Sequence, residues 1–396
     1  MLTGHSLIYF APREWDGLWR NRHQLMSVFA RHNKVLFVER QLYLDQTLAA
    51  LRQGKLELSD LYRSPVRQIS ENLFVFRYPV WGALVGRPLF KQLTRTIRRF
   101  SLQNTMRKLQ MSEPIVWFSL PHHLMDPVKE IPSPRLLLYH VVDEYSAYSK
   151  VTPAKRRWIE EQEKKMMTLV DAVIVVSQKL YEAKCPVNPN THLVPNGVDY
   201  QAYVAALADP TLPDDLRVIK PPRLGYSGLV GDRLDFTMLK QLAQENPEWS
   251  LVLLGKAAIS KQAETWRAMQ TLPNVHHLGP VEISQVPHYV KGFQVGLLPY
   301  QQSRHAEHTS PLKLYDYLAV GLPVVSVDIP AAREFRQYIH LANSPRDFAQ
   351  AVRAALDDTS PERSQTRKKV AAQHTWEARV EQLSDLIQAQ LDKSPA

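Results

Sequence analysis

Short runs of β-branched and aromatic residues alternate along the chain with longer amphipathic stretches, a rhythm that predicts parallel strands joined by helices. In the first half, strands are predicted at SLIYF (Ser6–Phe10), KVLFVE (Lys34–Glu39), PIVWFS (Pro114–Ser119), RLLLYHVV (Arg135–Val142) and AVIVVS (Ala172–Ser177). Each run is apolar almost without interruption, as expected of strands covered on both faces. NLFVFRY (Asn72–Tyr78) reads as an edge strand. Tyr200–Pro222, punctuated by DPTLPDD and KPP, interrupts the rhythm and reads as an interdomain linker. Strands resume at RLGYSG (Arg223–Gly228), SLVLLGK (Ser250–Lys256), NVHHLGP (Asn274–Pro280), VGLLPY (Val295–Tyr300) and PVVSVD (Pro323–Asp328). Thr375–Leu391 has helical spacing at Trp376, Val380, Leu383 and Leu386.

This pattern predicts an α/β protein of two doubly wound domains, residues 1–200 and 201–375, with a final helix, 376–396, packing back on the first. A length of 396 residues is more than one ordinary core accommodates. Two such sheets leave one place for a ligand, the cleft between the carboxyl ends of their strands. Hydrophobic residues at 44% and charged residues at 22% describe a globular chain rather than a disordered one. The single cysteine, Cys185, forbids an internal disulfide and suits a reducing compartment. MLTGHSLIYFAP carries no basic region ahead of an apolar stretch, and runs such as LVDAVIVV fall short of the ~20 residues that span a bilayer. A cytoplasmic protein is expected, soluble or laid onto the inner face of a membrane.

A net charge of +10 implies an anionic partner. From Asn72 to Ser112 the chain holds Arg77, Arg87, Lys91, Arg95, Arg98, Arg99, Arg107 and Lys108 and no acid. On a helix, Leu89, Phe90, Leu93, Ile97 and Phe100 share one face, and Lys91, Arg95, Arg98 and Arg99 lie opposite. Such a helix around Arg87–Arg99 could dock on an anionic membrane, each basic residue contributing about 1 kcal/mol. It could equally be a core-facing helix with a solvated basic back. No motif that reads nucleic acid accompanies the charge, so nucleic acid is not expected as a partner.

The most informative stretch is SPLKLYDYLAVGLPVV (Ser310–Val325). Thr309, Ser310 and Pro311 read as a hydroxyl cap followed by proline at a helix start, where free N–H groups can receive a phosphate. Lys313, one turn in, can add a point charge, and Asp316 can accept hydrogen bonds from ribose hydroxyls. Gly321 and Pro323 close the helix and launch a buried strand. The plainer reading is a capped helix with solvated charges.

SPLKLYDYLAVGLPVV resembles the donor-binding signature of retaining GT-B glycosyltransferases of family 4, and within it the subgroup of teichuronic-acid and exopolysaccharide clusters. VPNGVD (Val194–Asp199), LPNVHHLGPV (Leu272–Val281), QVGLLPY (Gln294–Tyr300) and DAVIVVSQKL (Asp171–Leu180) resemble further family motifs. The resemblance implies two Rossmann-like domains facing each other across a cleft. It also implies transfer of a sugar from a nucleoside diphosphate, UDP- or GDP-linked, to a saccharide or lipid-linked saccharide. Asp316 stands at the family's second acid, which holds the ribose, and Pro280 follows the strand that flanks the base. The first acid, eight residues earlier, is replaced by His308, with Glu307 beside it.

GYSGLVGDRLD (Gly225–Asp235) also admits a dinucleotide-binding reading, although Lys256 stands where such a site wants an acid. In the resembled family a Gly-Arg pair and a lysine clamp the donor diphosphate here. Gly228 matches, Leu229 replaces the arginine, and Arg233 and Lys256 are the candidate substitutes. In LLLYHVVDEYSAY (Leu136–Tyr148), His140 and Asp143 fall at a strand end, where both can handle protons or bind hydroxyls. REWDGLWRNRHQLM (Arg13–Met26) stands where the family has a glycine-rich loop near the phosphates, and keeps only Gly17, with Arg20 and Arg22. No metal-binding spacing is present, so lysine, arginine and helix N-termini are expected to neutralise the leaving diphosphate. Two other classes stay open: a non-catalytic protein of the same shape that binds a nucleotide sugar, and a nicotinamide-dependent oxidoreductase.

Overall fold

A computed structural model describes residues 1–17, 19–40, 44–54, 57, 64–79, 88–121, 131–148 and 151–393. The chain divides into two compact units. Met1–Val176, Leu180–Val194 and Arg379–Ala396 form the first, and Ser177–Lys179 with Pro195–Ala378 form the second. The chain leaves the first unit inside the VPNGVD motif and returns to it within its last helix, Trp376–Leu391.

The first unit is built on β1 (Ser6–Phe10), β2 (Lys34–Val38), β3 (Val66–Ser70), β4 (Leu73–Phe76), β5 (Ile115–Phe118), β6 (Leu136–Val141), β7 (Ala172–Val175) and β8 (Thr191–Leu193). Their order across the sheet is β3-β4-β2-β1-β5-β6-β7-β8, parallel except where β3 meets β4. The central strands are buried along nearly their whole length, as their unbroken apolar runs require. NLFVFRY does not form the edge. It supplies β4, which lies between β2 and β3, while the edge belongs to β3, VRQIS, whose residues are mostly exposed. An edge strand wetted on most of its surface has no apolar signature to read.

The second unit holds β9 (Arg223–Ser227), β11 (Ser250–Leu254), β13 (Val275–Gly279), β14 (Val295–Leu298), β15 (Val324–Val327) and β16 (His340–Ala342) in the parallel order β13-β11-β9-β14-β15-β16. A two-stranded ribbon, β10 (Val230–Gly231) with β12 (Ala257–Ala258), lies beside it. The winding reverses between β9 and β14, and the crevice at the carboxyl ends of those two strands is where doubly wound sheets bind ligands.

Tyr200–Pro222 is not a linker but part of the second unit. Asp199 caps a helix over Tyr200–Ala208 by accepting the Ala202 N–H at 3.2 Å, and Tyr203, Ala206, Leu216 and Ile219 are buried. The prolines obscured a helix whose buried face is only two residues wide. In the last helix, Trp376, Val380 and Leu383 are buried as the spacing predicts, joined by Ile387 and Leu391, while Leu386 is half-buried.

The basic segment forms a helix over Pro88–Lys108, with side chains described from Gln92 onward; Arg87 lies outside the described residues. Its buried stripe runs through Thr94, Leu102, Thr105 and Met106, so the face predicted to be apolar is not the one that meets the core. Leu93 and Phe100 are exposed at 48% and 65%, with Arg95 and Arg99 also exposed beside them. Arg98 turns inward over the Tyr78 ring, 4.6 Å from its centroid. No described helix is long and apolar enough to cross a membrane.

Candidate functional site

At the switch point of the second unit, the turn after β9 and the segments following β14 bring together Gly228, Arg233 and Lys313. The Lys313 ammonium lies 4.8 Å above the Tyr226 ring and 3.4 Å from the Tyr300 hydroxyl. It has no ion pair to a carboxylate among the described residues. The two tyrosines, which the sequence reading missed, lie on adjacent strand runs, Tyr226 within β9 and Tyr300 two residues beyond β14. Burial raises the phenols of both, that of Tyr300 to about 12, so they remain neutral donors. The exposed Arg233 acts electrostatically on both phenols, and its carbonyl accepts the Gln301 N–H at 2.8 Å. Gly228 adopts φ +128°, and a Cβ there would stand 2.8 Å from Lys313 Cε. At Gly255 a Cβ would strike the Gly228 carbonyl at 2.0 Å, so the two turns pack backbone on backbone.

The glycines of GYSGLVG do not form a dinucleotide turn together. Gly225 lies within β9, where a Cβ would penetrate the Phe293 ring, and Gly231 lies in β10. Lys256 and Pro280 are both exposed, just beyond β11 and β13. No partner of either side chain is found among the described residues.

The SPLKLYDYLA helix begins later than the sequence suggests. It spans Leu312–Ala319, and its cap is Pro311 rather than a hydroxyl residue. Ser310 instead offers its carbonyl to Asn196 Nδ2 at 2.9 Å, which ties the VPNGVD turn to the start of this helix. His308 closes a short helix, Arg304–His308, with its Nδ1 2.7 Å from the Arg304 carbonyl. The Asp316 carboxyl is hydrogen-bonded by the Tyr203 hydroxyl, and burial lifts its pKa to about 7 despite the nearby Lys313. At neutral pH it is therefore divided between its acid and its anion.

In the first unit, Gly17 sits on an exposed bend with nothing within 4 Å of where a Cβ would be. Asp143, just past β6, accepts the Tyr148 hydroxyl at 2.7 Å. His140 departs from expectation. Its ring is 2% exposed, lies 5.6 Å from Trp117, and has its pKa lowered to about 3 by burial. Its Nδ1 is buried without a partner. A ring so placed stays neutral near pH 7. The loop carrying Asp143 is anchored by groups the sequence reading missed. Lys184 Nζ binds Glu144 at 2.9 Å and Glu163 at 2.7 Å, and Glu163 also accepts the Tyr139 hydroxyl at 3.0 Å, all buried. These residues are far apart in sequence, and nothing local marks them as partners. No cluster of three or more potential metal ligands occurs among the described residues. A groove lined by Trp15, Trp19, Arg31 and Leu73 contains none of the nominated residues.

The fold is GT-B, two Rossmann-like domains in one chain, as in solved glycosyltransferases. Sucrose-phosphate synthase from Thermosynechococcus elongatus superposes with a TM-score of 0.71 at 17% identity, over 98% of this chain and 100% of that one. Anabaena HepE, in complex with UDP and glucose, gives 0.67 at 13% identity over 97% and 100%. WaaG, a glycosyltransferase involved in lipopolysaccharide biosynthesis, gives 0.57 at 13% over 98% and 99%. Residues 233–358, which include Arg233, Lys256, Lys313 and Asp316, match the family described as Glycosyl transferases group 1. The chain is also 28% identical over 235 residues to a Bacillus subtilis (strain 168) protein with the provisional name teichuronic acid biosynthesis glycosyltransferase TuaH. That match covers 56% of this chain and 58% of the relative.

Proposed function

We propose that this chain is a glycosyltransferase that moves a hexosyl group from a nucleoside diphosphate to a saccharide or lipid-linked saccharide in cell-surface polysaccharide synthesis. The observation that carries the reading is Lys313, a cation without a carboxylate partner in ion-pair range, held over Gly228 at the switch point between β9 and β14. A leaving diphosphate is the ligand such a charge suits, and a cation fixed before reaction stabilises developing charge without reorganisation. Arg233 is assigned to the same diphosphate and Asp316 to the ribose. Asp143 is assigned to a hydroxyl of sugar or acceptor. Retention rests on the resemblance of SPLKLYDYLAVGLPVV, and metal independence on the lack of metal-binding spacing in the sequence. We place the protein in the cytoplasm at the inner membrane face, with exposed Leu93 and Phe100, flanked by arginines, as the contact with anionic lipid.

Calorimetry of the full chain against UDP, GDP, ADP, NADH and their sugar conjugates tests the reading, with Lys313→Met and Asp316→Ala beside it. One nucleoside diphosphate should bind, and Lys313→Met should weaken it about tenfold or more. Binding of NADH alone would overturn the proposal in favour of an oxidoreductase. Nucleotide-sugar binding without transfer to any acceptor would favour a non-catalytic binding protein.

A further inference from the structure

The loop after β1 was rewritten in sequence relative to the resembled family, and its most unusual residue is Arg22. It occupies the second position of the helix Asn21–Phe29 and is only 6% exposed. Its Nε is buried with no hydrogen-bond partner, and no ion pair to its guanidinium exists among the described residues. A buried guanidinium nitrogen without a partner is costly and calls for an explanation, of which a ligand that completes it is one. The groups acting most strongly on Arg22 are the phenols of Tyr9 and Tyr145 and the guanidinium groups of Arg20 and Arg13, with no carboxylate among them.

The surroundings hold this charge in place. His23 accepts the Arg20 N–H at 2.9 Å through Nδ1, and its Nε2 lies 3.1 Å from the Trp15 carbonyl. That pairing places the proton on Nε2 and closes the helix start, much as a capping box does. Trp15 is fixed in turn by its backbone N–H, which donates to Glu39 Oε1 at 2.8 Å. Tyr145 donates to the Ser119 carbonyl at 3.1 Å, just beyond β5. Since β1 and β5 are the neighbours between which the first sheet reverses its winding, Arg22 sits at that unit's own switch point. The helix carries no acid in its first turn.

We propose that Arg22, with the first turn of the Asn21–Phe29 helix, forms an anion subsite in the first unit that receives a phosphate or carboxylate carried by the acceptor. The word acceptor rests on the glycosyl-transfer reading; the anion subsite does not. The resembled family brings this loop near the donor phosphates, but here the second unit has its own cations for the diphosphate, so the charge on Arg22 is assigned to the other substrate.

Tryptophan fluorescence of the full chain, with Trp15 and Trp19 beside the helix start, tests this. Glucose 6-phosphate, glucuronate and neutral glucose are the probes. One of the two anions should bind saturably and glucose should not, and which anion binds separates phosphate from carboxylate. Arg22→Met should reduce that affinity about tenfold or more, and Arg22→Lys, which keeps the charge without the fork, by less. Arg22→Met should leave Tm unchanged or raised, because it removes an unpartnered buried charge. Its affinity for UDP or GDP should stay unchanged, while Lys313→Met does the reverse. Equal anion binding by wild type and Arg22→Met, or none by wild type, would overturn the subsite. A fall in Tm that Arg22→Lys reverses, without any anion effect, would make Arg22 structural. A loss of nucleotide affinity in Arg22→Met would reassign it to the donor. If no nucleotide binds any variant while the anion does, the donor reading fails and the subsite stands.

Discussion

The ammonium of Lys313 lies directly over Gly228, so close that a methyl on the glycine would stand 2.8 Å from Cε and 2.9 Å from Nζ. One residue thus makes room for the other, and the two belong to segments far apart in sequence. Gly228→Ala should push the lysine aside and strain a backbone at φ +128°, at a cost of about 1–3 kcal/mol. Nucleotide affinity should fall about tenfold, and the double variant with Lys313→Met should bind no worse than Lys313→Met alone. Additive losses by calorimetry would show that the two residues act independently.

Asp316 gives the protein a pH dependence of defined sign. Its folded pKa, about 7, lies above the ordinary carboxyl value of 3.8, so folding favours the protonated form. Its stabilising contribution is complete below the unfolded pKa and is lost as pH rises through about 7. Asp316→Asn lacks this titration. Relative to Asp316→Asn, the wild type should therefore lose Tm between about pH 4 and pH 7. Parallel Tm profiles over that range would contradict the assignment.

Lys184 bridges Glu144 and Glu163 in a dry interior, with side chains 7%, 5% and 6% exposed. Burial raises the Glu163 carboxyl, and the two carboxylates together raise the Lys184 ammonium. Lys184→Met should cost about 3–5 kcal/mol, because it strands buried carboxylates without a partner. Adding Glu144→Gln and Glu163→Gln should recover part of that loss. Chemical denaturation of the three chains provides the comparison, and no recovery in the triple variant would indicate that packing, not charge, dominates.

His140, depressed from 6.5 to about 3, acts in the opposite pH direction from Asp316. The unfolded chain takes up a proton there below pH 6.5 and the folded chain does not until about 3. Stability is therefore lost as pH falls through that window. NMR titration should find the ring neutral at pH 5, and His140→Phe should reduce acid sensitivity between pH 6.5 and 3. A ring that titrates near 6.5 would place His140 in solvent contact.

Much was legible in the sequence wherever a strand was covered on both faces. SLIYF, AVIVVS and SLVLLGK announced themselves, since burial on both sides demands an unbroken apolar run. The order of motifs also carried the GT-B fold. Elements with little buried surface were lost. The edge strand β3 carries mostly exposed side chains, and the helix at Tyr200–Ala208 buries only Tyr203 and Ala206.

What the sequence determined by itself is therefore the α/β class, the two-sheet plan and the short set of cations near the second unit's strand ends. Those follow from local patterns of apolarity and turn residues. Tertiary structure alone decided which charges are compensated. Lys184 and Lys313 look alike in sequence, yet one is enclosed by two carboxylates and the other rests on tyrosine rings. His140 and Asp143 share one strand end, yet one ring is buried and neutral while the carboxylate three residues later meets a hydroxyl. Charge state depends on neighbours brought from distant segments and on the water they exclude, and neither is written in local spacing.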